Sequence, residues 1–179
     1  LVFTADRLAE LRRASGYKKP IAMIIHPMNT ALIKIQKASP SDLERVTGCA
    51  RDAYVKYVDR MGCEPAPMQA DYASQIADGD VYIAQYGHSF AGYIVFYSKH
   101  DLLHLENVAV LPEMSGTGIG RALVEYAERA ASVRNLQAVE LYTNEAMTEN
   151  MAMYQNMGYV EIERKQQDGF ARVFFRKPV

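Results

Sequence analysis

The residues able to do chemistry are concentrated in two stretches of this chain. In the first, Val108-Ala109-Val110-Leu111-Pro112 leads through Glu113-Met114 into Ser115-Gly116-Thr117-Gly118-Ile119-Gly120-Arg121. It reads as an apolar strand, a turn opened by proline, glycines at alternate positions and the start of a helix. Glycines let the backbone take conformations closed to other residues and leave its N–H groups bare. A helix N-terminus adds unpaired N–H donors and about half a positive charge. Together they form a seat for a phosphate or pyrophosphate. The second stretch, Asn150-x-x-x-Tyr154-x-x-x-Gly158-Tyr159, sets an amide and a phenol one helical turn apart on a single face. Upstream, His104 and Glu106 stand two apart on the strand that feeds the glycines, on one face by strand alternation, and either is able to accept a proton.

Three kinds of phosphate-binding loop compete for the glycines. A nucleotide P-loop requires Gly-x-x-x-x-Gly-Lys-Ser/Thr; Arg121-Ala122 after Gly120 supplies neither the lysine nor the magnesium-binding hydroxyl. A dinucleotide fingerprint requires Gly-x-Gly-x-x-Gly after the first strand of its unit. Here the spacing is Gly-x-Gly-x-Gly, past the middle of the chain, and Glu140, the acid at the right distance, falls inside a strand. The third kind fits. Val110-x-Pro112 followed by Ser115-Gly116-x-Gly118-x-Gly120 resembles the acyl-CoA signature of the GNAT N-acetyltransferase superfamily, and Asn150…Tyr154…Gly158-Tyr159 resembles that family's second motif.

The resemblance implies a GNAT acyl-CoA fold, acetyl-CoA as cosubstrate and an amine acceptor. It places the pyrophosphate on the backbone of Ser115, Gly116, Thr117, Gly118, Ile119, Gly120 and Arg121. Ser115 stands where the family usually has arginine or glutamine, which removes a side-chain contact and leaves the backbone cradle. The pantetheine arm is expected to add like a strand beside Val108, Ala109 and Val110. Asn150 or Asn144 would bond it, although Asn144 suits a loop cap equally well. Tyr154 aligns with the tyrosine that protonates the departing thiolate. For the base, Glu106 is preferred, on the expectation that partial burial raises its pKa; His104 is the alternative, and both are expected to face the cleft together with Val108 and Val110. The acceptor pocket would be drawn from Tyr54, Tyr57, Met61 to Met68 and Asp168-Gly169-Phe170. Direct attack in a ternary complex follows from the lack of a cysteine in either motif. The rival reading is a non-catalytic acyl-CoA-binding regulatory module on the same fold.

The elements that must position these groups are legible in the periodicity. Ile33 and Ile35 alternate as in a strand, and Ser39 or Ser41 opens a helix running to about Asp59. A second helix is expected over Met68–Ala77. Val81–Gln85 and Phe90–Tyr97 read as a hairpin, followed by the strand Leu102–Val110. A helix from the glycines to about Arg134, the strand Ala138–Thr143 and the helix Asn150–Met157 come next. A last hairpin, Tyr159–Arg164 with Phe170–Arg176, closes the chain. The order βααβββαβαββ is a mixed α/β sheet, expected with splayed central strands, and the resemblance covers residues 32 to 177.

Bulk properties narrow the partners. At 179 residues, 49% apolar and 23% charged, the chain suits one domain, set here at residues 31–179. Residues 1–30 read either as a non-native extension or as an arm packing on a partner subunit, since the chain does not begin with methionine. A net charge of −1 without a basic stripe argues against nucleic acid and anionic membranes, and no run is apolar enough to span a bilayer. Cys49 and Cys63 are too few for a disulfide framework or zinc site and read as reduced thiols of a cytoplasmic protein. No histidine spacing suggests a metal. No dense acidic patch points to a polycationic acceptor. A homodimer fits the family's habit, though no residue compels it.

Overall fold

Residues 32–179 are described in a computed structural model. The residue 1–30 segment therefore lies outside the described residues. The elements run β1 (Ile33–Lys37), α1 (Leu43–Tyr54), α2 (Val58–Met61), α3 (Tyr72–Asp78), β2 (Val81–Tyr86), β3 (Ser89–Lys99), β4 (Leu102–Val110), α4 (Ile119–Val133), β5 (Ala138–Asn144), α5 (Thr148–Asn156), β6 (Val160–Gln167) and β7 (Phe170–Pro178). The strands form one seven-stranded sheet in the order β1-β2-β3-β4-β5-β7-β6. Its β4–β5 pair is parallel and the other pairs antiparallel. One face carries α4 and α5 over a core that includes Phe96, Leu103, Leu105, Ile119, Leu123, Leu141 and Phe175. The other carries α1 and α3 over Val46, Cys49, Tyr72, Ile83, Tyr93 and Val95.

Local chemistry sets the boundaries. The Asp42 carboxylate accepts from the backbone N–H and hydroxyl of Ser39 at 2.9 and 2.8 Å, so Ser39 rather than Ser41 opens the helical segment. After Tyr54 the helix tightens into a 3₁₀ turn, Val55–Tyr57. Three residues per turn bring Tyr54 and Tyr57 into line, with ring centroids 6.2 Å apart. The helix expected from Met68 starts only at Tyr72. Pro65 and Pro67 hold a 3₁₀ turn over Ala66–Met68, and Asp71 then caps α3 by accepting from the Ser74 N–H at 3.0 Å. In the last hairpin Asp168 and Gly169 both have positive φ, 53° and 81°, which makes a tight two-residue turn. β6 therefore runs on to Gln167, nearer the turn than the Arg164 end that periodicity suggested, while β7 starts at Phe170 as expected.

Two features of β4 matter most for the site. Its pairing with β5 runs from Leu102–Ala138 to Leu105–Leu141 and stops there, although both strands continue. The sheet opens into a wedge. On its other edge β4 carries a bulge: Val95 faces Asn107 and Phe96 faces Leu105, so Glu106 has no partner on β3. The extra residue reverses the alternation. Leu103 and Leu105 pack on the α4 side, and beyond the bulge so do Val108 and Val110, while Ala109 packs on the α1 side. His104 and Glu106 therefore do not share a face with Val108 and Val110, contrary to the expectation from uninterrupted alternation.

The β3–β4 seam tolerates no side chain at Gly92. A Cβ there would strike the Ala109 carbonyl oxygen and lie 3.0 Å from the Val110 Cα, both backbone atoms that cannot swing aside. Gly92→Ala is expected to lower unfolding free energy by about 1–3 kcal/mol, as overpacking does, measured by urea denaturation. An unchanged midpoint would show that the seam can part without cost.

Candidate active site

The wedge between β4 and β5 is the centre of the site. The Leu111 N–H donates to the Ala91 carbonyl at 3.0 Å. Antiparallel alternation then makes Tyr93–Ala109 and Val95–Asn107 the hydrogen-bonded pairs, leaving the polar groups of Val108 and Val110 directed away from β3 into the wedge. Tyr54 responds to this: its hydroxyl donates to the Val108 carbonyl at 3.1 Å. A backbone edge with free polar groups, not covered by another strand, can take an extended ligand.

The glycine turn lies at the outer end of this edge. Pro112–Met114 forms a 3₁₀ turn, and Gly116 and Gly118 follow with φ of 76° and 90°. Gly118 is the left-handed N-cap of α4. The first helical bond runs from the Ala122 N–H to the Gly118 carbonyl, so the N–H groups of Ile119, Gly120 and Arg121 have no helical acceptor. Gly120 works differently: a Cβ there would lie 3.6 Å from Val110 Cγ2, so it lets α4 settle close on β4.

A groove runs from this turn along β4, walled by α1 and α5. Val108, Ala109, Val110, Ser115, Gly116, Gly118, Gly120, Arg121 and Asn150 line it. Thr117 is turned into the loop, its hydroxyl donating to the Met114 carbonyl at 2.5 Å, and the Ile119 side chain is wholly buried in the core. Those two can offer a ligand only backbone. Lys56, which sequence reasoning missed, stands in the groove wall and adds a cation facing the same turn as Arg121. The Asn144 amide oxygen accepts from the Ala146 N–H at 2.9 Å, the loop-capping role. Tyr57 was expected in the acceptor pocket but lines the groove, its hydroxyl donating to Asn150 Oδ1 at 3.4 Å.

A second cavity opens inside the wedge. Its lining includes Tyr54, Met61, Pro65 to Pro67 and Phe170, as expected for an acceptor pocket, together with Glu106 and Tyr154. Tyr142, Asn107 and Arg172 also line it and were not foreseen. Arg172 was recoverable: strand alternation puts it on the same face as Phe170, already assigned to the pocket. Groove and pocket share Tyr54, Val108 and Asn150, so they meet at the point where β4 leaves β5.

The electrostatics correct one expectation. Glu106 accepts from His104 Nε2 at 3.1 Å and from the Tyr97 hydroxyl at 3.3 Å. The hydrogen bond from His104 holds its carboxyl below the ordinary range, with the Tyr97 hydroxyl and the Arg172 charge acting the same way, against burial. Burial does not raise Glu106 because its neighbours stabilise the carboxylate more than desolvation penalises it. The same carboxylate helps burial push Tyr97 up to about 12. Tyr154 is only 5% exposed, and burial, with Tyr57 second, raises its hydroxyl well above the usual range. Among the described residues no cluster of three or more His, Cys, Asp or Glu side chains is placed to hold a metal. No described helix is long and apolar enough to cross a membrane.

A parallel pair that splays, a glycine turn on the following helix and a cavity in the wedge define the class of acyl-CoA-dependent acyltransferase folds. The sequence matches the model of the Acetyltransferase (GNAT) family over residues 50–159, and the chain belongs to that family. It is 35% identical over 88 residues to an uncharacterized N-acetyltransferase of Chlorobaculum tepidum, a match covering 48% of this chain and 53% of the relative. The chain thus spans about half the length of that curated relative. Among solved structures, the PaiA N-acetyltransferase of Thermoplasma acidophilum in complex with coenzyme A superposes with a TM-score of 0.68 at 18% identity, covering 82% of this chain and 99% of that one. The ribosomal-protein-S18-alanine N-acetyltransferase of Escherichia coli gives 0.66 at 19% identity, covering 82% and 93%. At these identities the likeness is one of fold.

The lowered Glu106 pKa has a definite sign. A carboxyl whose folded-state pKa is depressed contributes stability above its unfolded pKa and loses it as pH falls through the folded value. Glu106→Gln is therefore expected to be less stable than the parent at neutral pH, with the gap closing as acid protonates Glu106 below the ordinary carboxylate range. Denaturant unfolding of both proteins across that range tests this. A gap that widens in acid would mean that burial dominates after all.

Proposed function

We propose that this chain transfers an acetyl group from acetyl-CoA to a primary amine. The observation that carries this reading is the meeting of groove and pocket at Tyr54, Val108 and Asn150, with the glycine turn at the far end of one and Glu106 inside the other. The residues present suit the cosubstrate. Bare N–H groups at Gly118–Arg121, with Lys56 and Arg121 beside them, match a pyrophosphate, and the free edge of Val108 and Val110 matches the amides of a pantetheine arm. Acetyl-CoA supplies the thioester: as the amine nitrogen bonds to the acetyl carbon and the carbon–sulfur bond breaks, the amine gives up a proton and sulfur leaves as a thiolate.

Each remaining step belongs to the protein. Glu106, ionised at neutral pH, attracts an incoming ammonium and receives its proton through water. Its low proton affinity makes it a relay rather than a store. His104, with Nε2 committed to Glu106, steadies that carboxylate. Tyr154 stays protonated at every working pH and aims a donor from buried surroundings. Since its pKa lies above that of an alkyl thiol, it stabilises the thiolate by a hydrogen bond, and solvent completes the protonation. Free thiols at Cys49 and Cys63 support a cytoplasmic setting.

The weak basicity of Glu106 also favours a second reading, an acyl-CoA-binding regulatory module without turnover. Kinetics separates the two. With a good acceptor, Tyr154→Phe is expected to lower kcat by about a hundredfold, as loss of a catalytic donor does, while CoA affinity stays near that of the parent. Glu106→Gln is expected to lower kcat/KM with the loss greatest at low pH, where the amine is most protonated. Turnover unchanged in both variants would contradict the catalytic roles, and CoA binding without turnover on a broad amine panel would establish the regulatory reading.

A further inference from the structure

The acceptor pocket contains two opposite charges that do not pair. Arg172 on β7 and Glu106 on β4 both line it, on opposite sides of the wedge, and the Arg172 charge is felt at Glu106. Their charged atoms are nevertheless more than 4.0 Å apart, since Glu106 pairs with His104 and Arg172 with Asp168. The Arg172 side chain is 12% exposed and lies over the Tyr142 ring at 4.3 Å. Its fork has five donors, and Asp168, on the exposed hairpin tip, takes one nitrogen, Nη2, at 3.1 Å. A buried guanidinium with spare donors beside a cavity is suited to a carboxylate.

Asn107 adds an independent observation at the other end. It is 6% exposed, lines the same pocket, and its Oδ1 is buried without a hydrogen-bond partner. A buried acceptor with nothing to accept costs stability unless a ligand supplies the donor. It follows Glu106 directly in the bulge, so a carboxylate and an amide oxygen stand together where an ammonium would sit. Met61, Pro65, Pro67, Ala70 and Phe170 give the pocket an apolar wall.

We infer that the acceptor is an apolar α-amino acid, its amine held by Glu106 and Asn107 Oδ1 and its carboxylate by Arg172. This rests on the acetyltransferase reading and narrows it to a substrate class. The zwitterion's two charges match the opposite charges of Glu106 and Arg172, which face each other across the wedge without pairing; its side chain fills the apolar wall, and its nitrogen lies on the β4 side, where pocket and groove meet at Val108. The reaction is then transfer of acetyl from sulfur to the α-nitrogen, giving an N-acetyl amino acid and CoA.

The test compares each amino acid with the amine that differs by the carboxylate alone: L-leucine with 3-methylbutylamine, L-methionine with 3-(methylthio)propylamine and L-phenylalanine with 2-phenylethylamine. CoA release from acetyl-CoA gives kcat/KM, and calorimetric titration of L-leucine into CoA-saturated protein gives affinity without turnover. The parent is expected to favour each amino acid by about tenfold or more, the worth of one charged hydrogen-bonded contact. Arg172→Gln is expected to erase that preference through KM and to weaken L-leucine binding similarly; Arg172→Lys should retain part of it. Unchanged CoA affinity in both variants verifies that they fold. Preference for the decarboxylated amines, no reaction with either set despite CoA binding, or a preference that survives Arg172→Gln would each overturn the inference. A parent protein that fails to bind CoA would instead overturn the acetyltransferase reading beneath it.

Discussion

The structure depends on one interrupted contact, the parallel pairing of β4 with β5 that ends at Leu105–Leu141. Up to that point the two strands are an ordinary buried pair. Beyond it they diverge, and the backbone polar groups of Val108 and Val110 face an opening where a neighbouring strand would normally satisfy them. Buried backbone groups must find partners. Tyr54 supplies one to the Val108 carbonyl, and the others are available to an extended ligand. The wedge thus leaves an open backbone edge, the seat proposed for acyl-CoA, and a cavity beside it, the pocket proposed for the acceptor.

The neighbouring elements hold the wedge open. The bulge at Glu106 turns Val108 and Val110 toward α4, where Gly120 lets the helix approach to van der Waals distance. The same bulge keeps Glu106 and Asn107 on the α1 side, facing the pocket. The 3₁₀ turn after α1 aligns Tyr54 and Tyr57 along the groove, one bonded to β4 and the other to Asn150 on α5. The antiparallel β7 pairs with β5 to its end, through Asn144–Arg172, and so carries Arg172 to the pocket's far wall.

Much of this was legible in the sequence because it follows from local chemistry. Gly116, Gly118 and Pro112 specify the turn before α4, and the β4 and α4 spans follow from an apolar run and a helical stripe. The helix bearing Asn150 and Tyr154 was legible from their spacing and Gly158. The start of α3 was not, because Pro65, Pro67 and the Asp71 cap outweigh a helical pattern that runs through them. The bulge at Glu106 left no local signal: Leu102–Val110 contains neither glycine nor proline, and the slip arises from pairing with β3. Electrostatics was only partly local. Burial alone argued for a raised Glu106 pKa; the hydrogen bond from His104, two residues away, leads the opposite shift, and Tyr97 from β3 and Arg172 from β7, brought beside it by the sheet, add to it.

The central claim is that the edge of β4 and the glycine turn form an acyl-CoA site, and thermal unfolding with CoA, acetyl-CoA, ATP and NAD side by side tests it most directly. A ligand present at a hundred times its dissociation constant stabilises a fold by about 2.7 kcal/mol, which such a measurement resolves. Stabilisation by the two CoA species, and by neither ATP nor NAD, is the expected result. Stabilisation by ATP or NAD in their place, or by none of the four, would contradict the account.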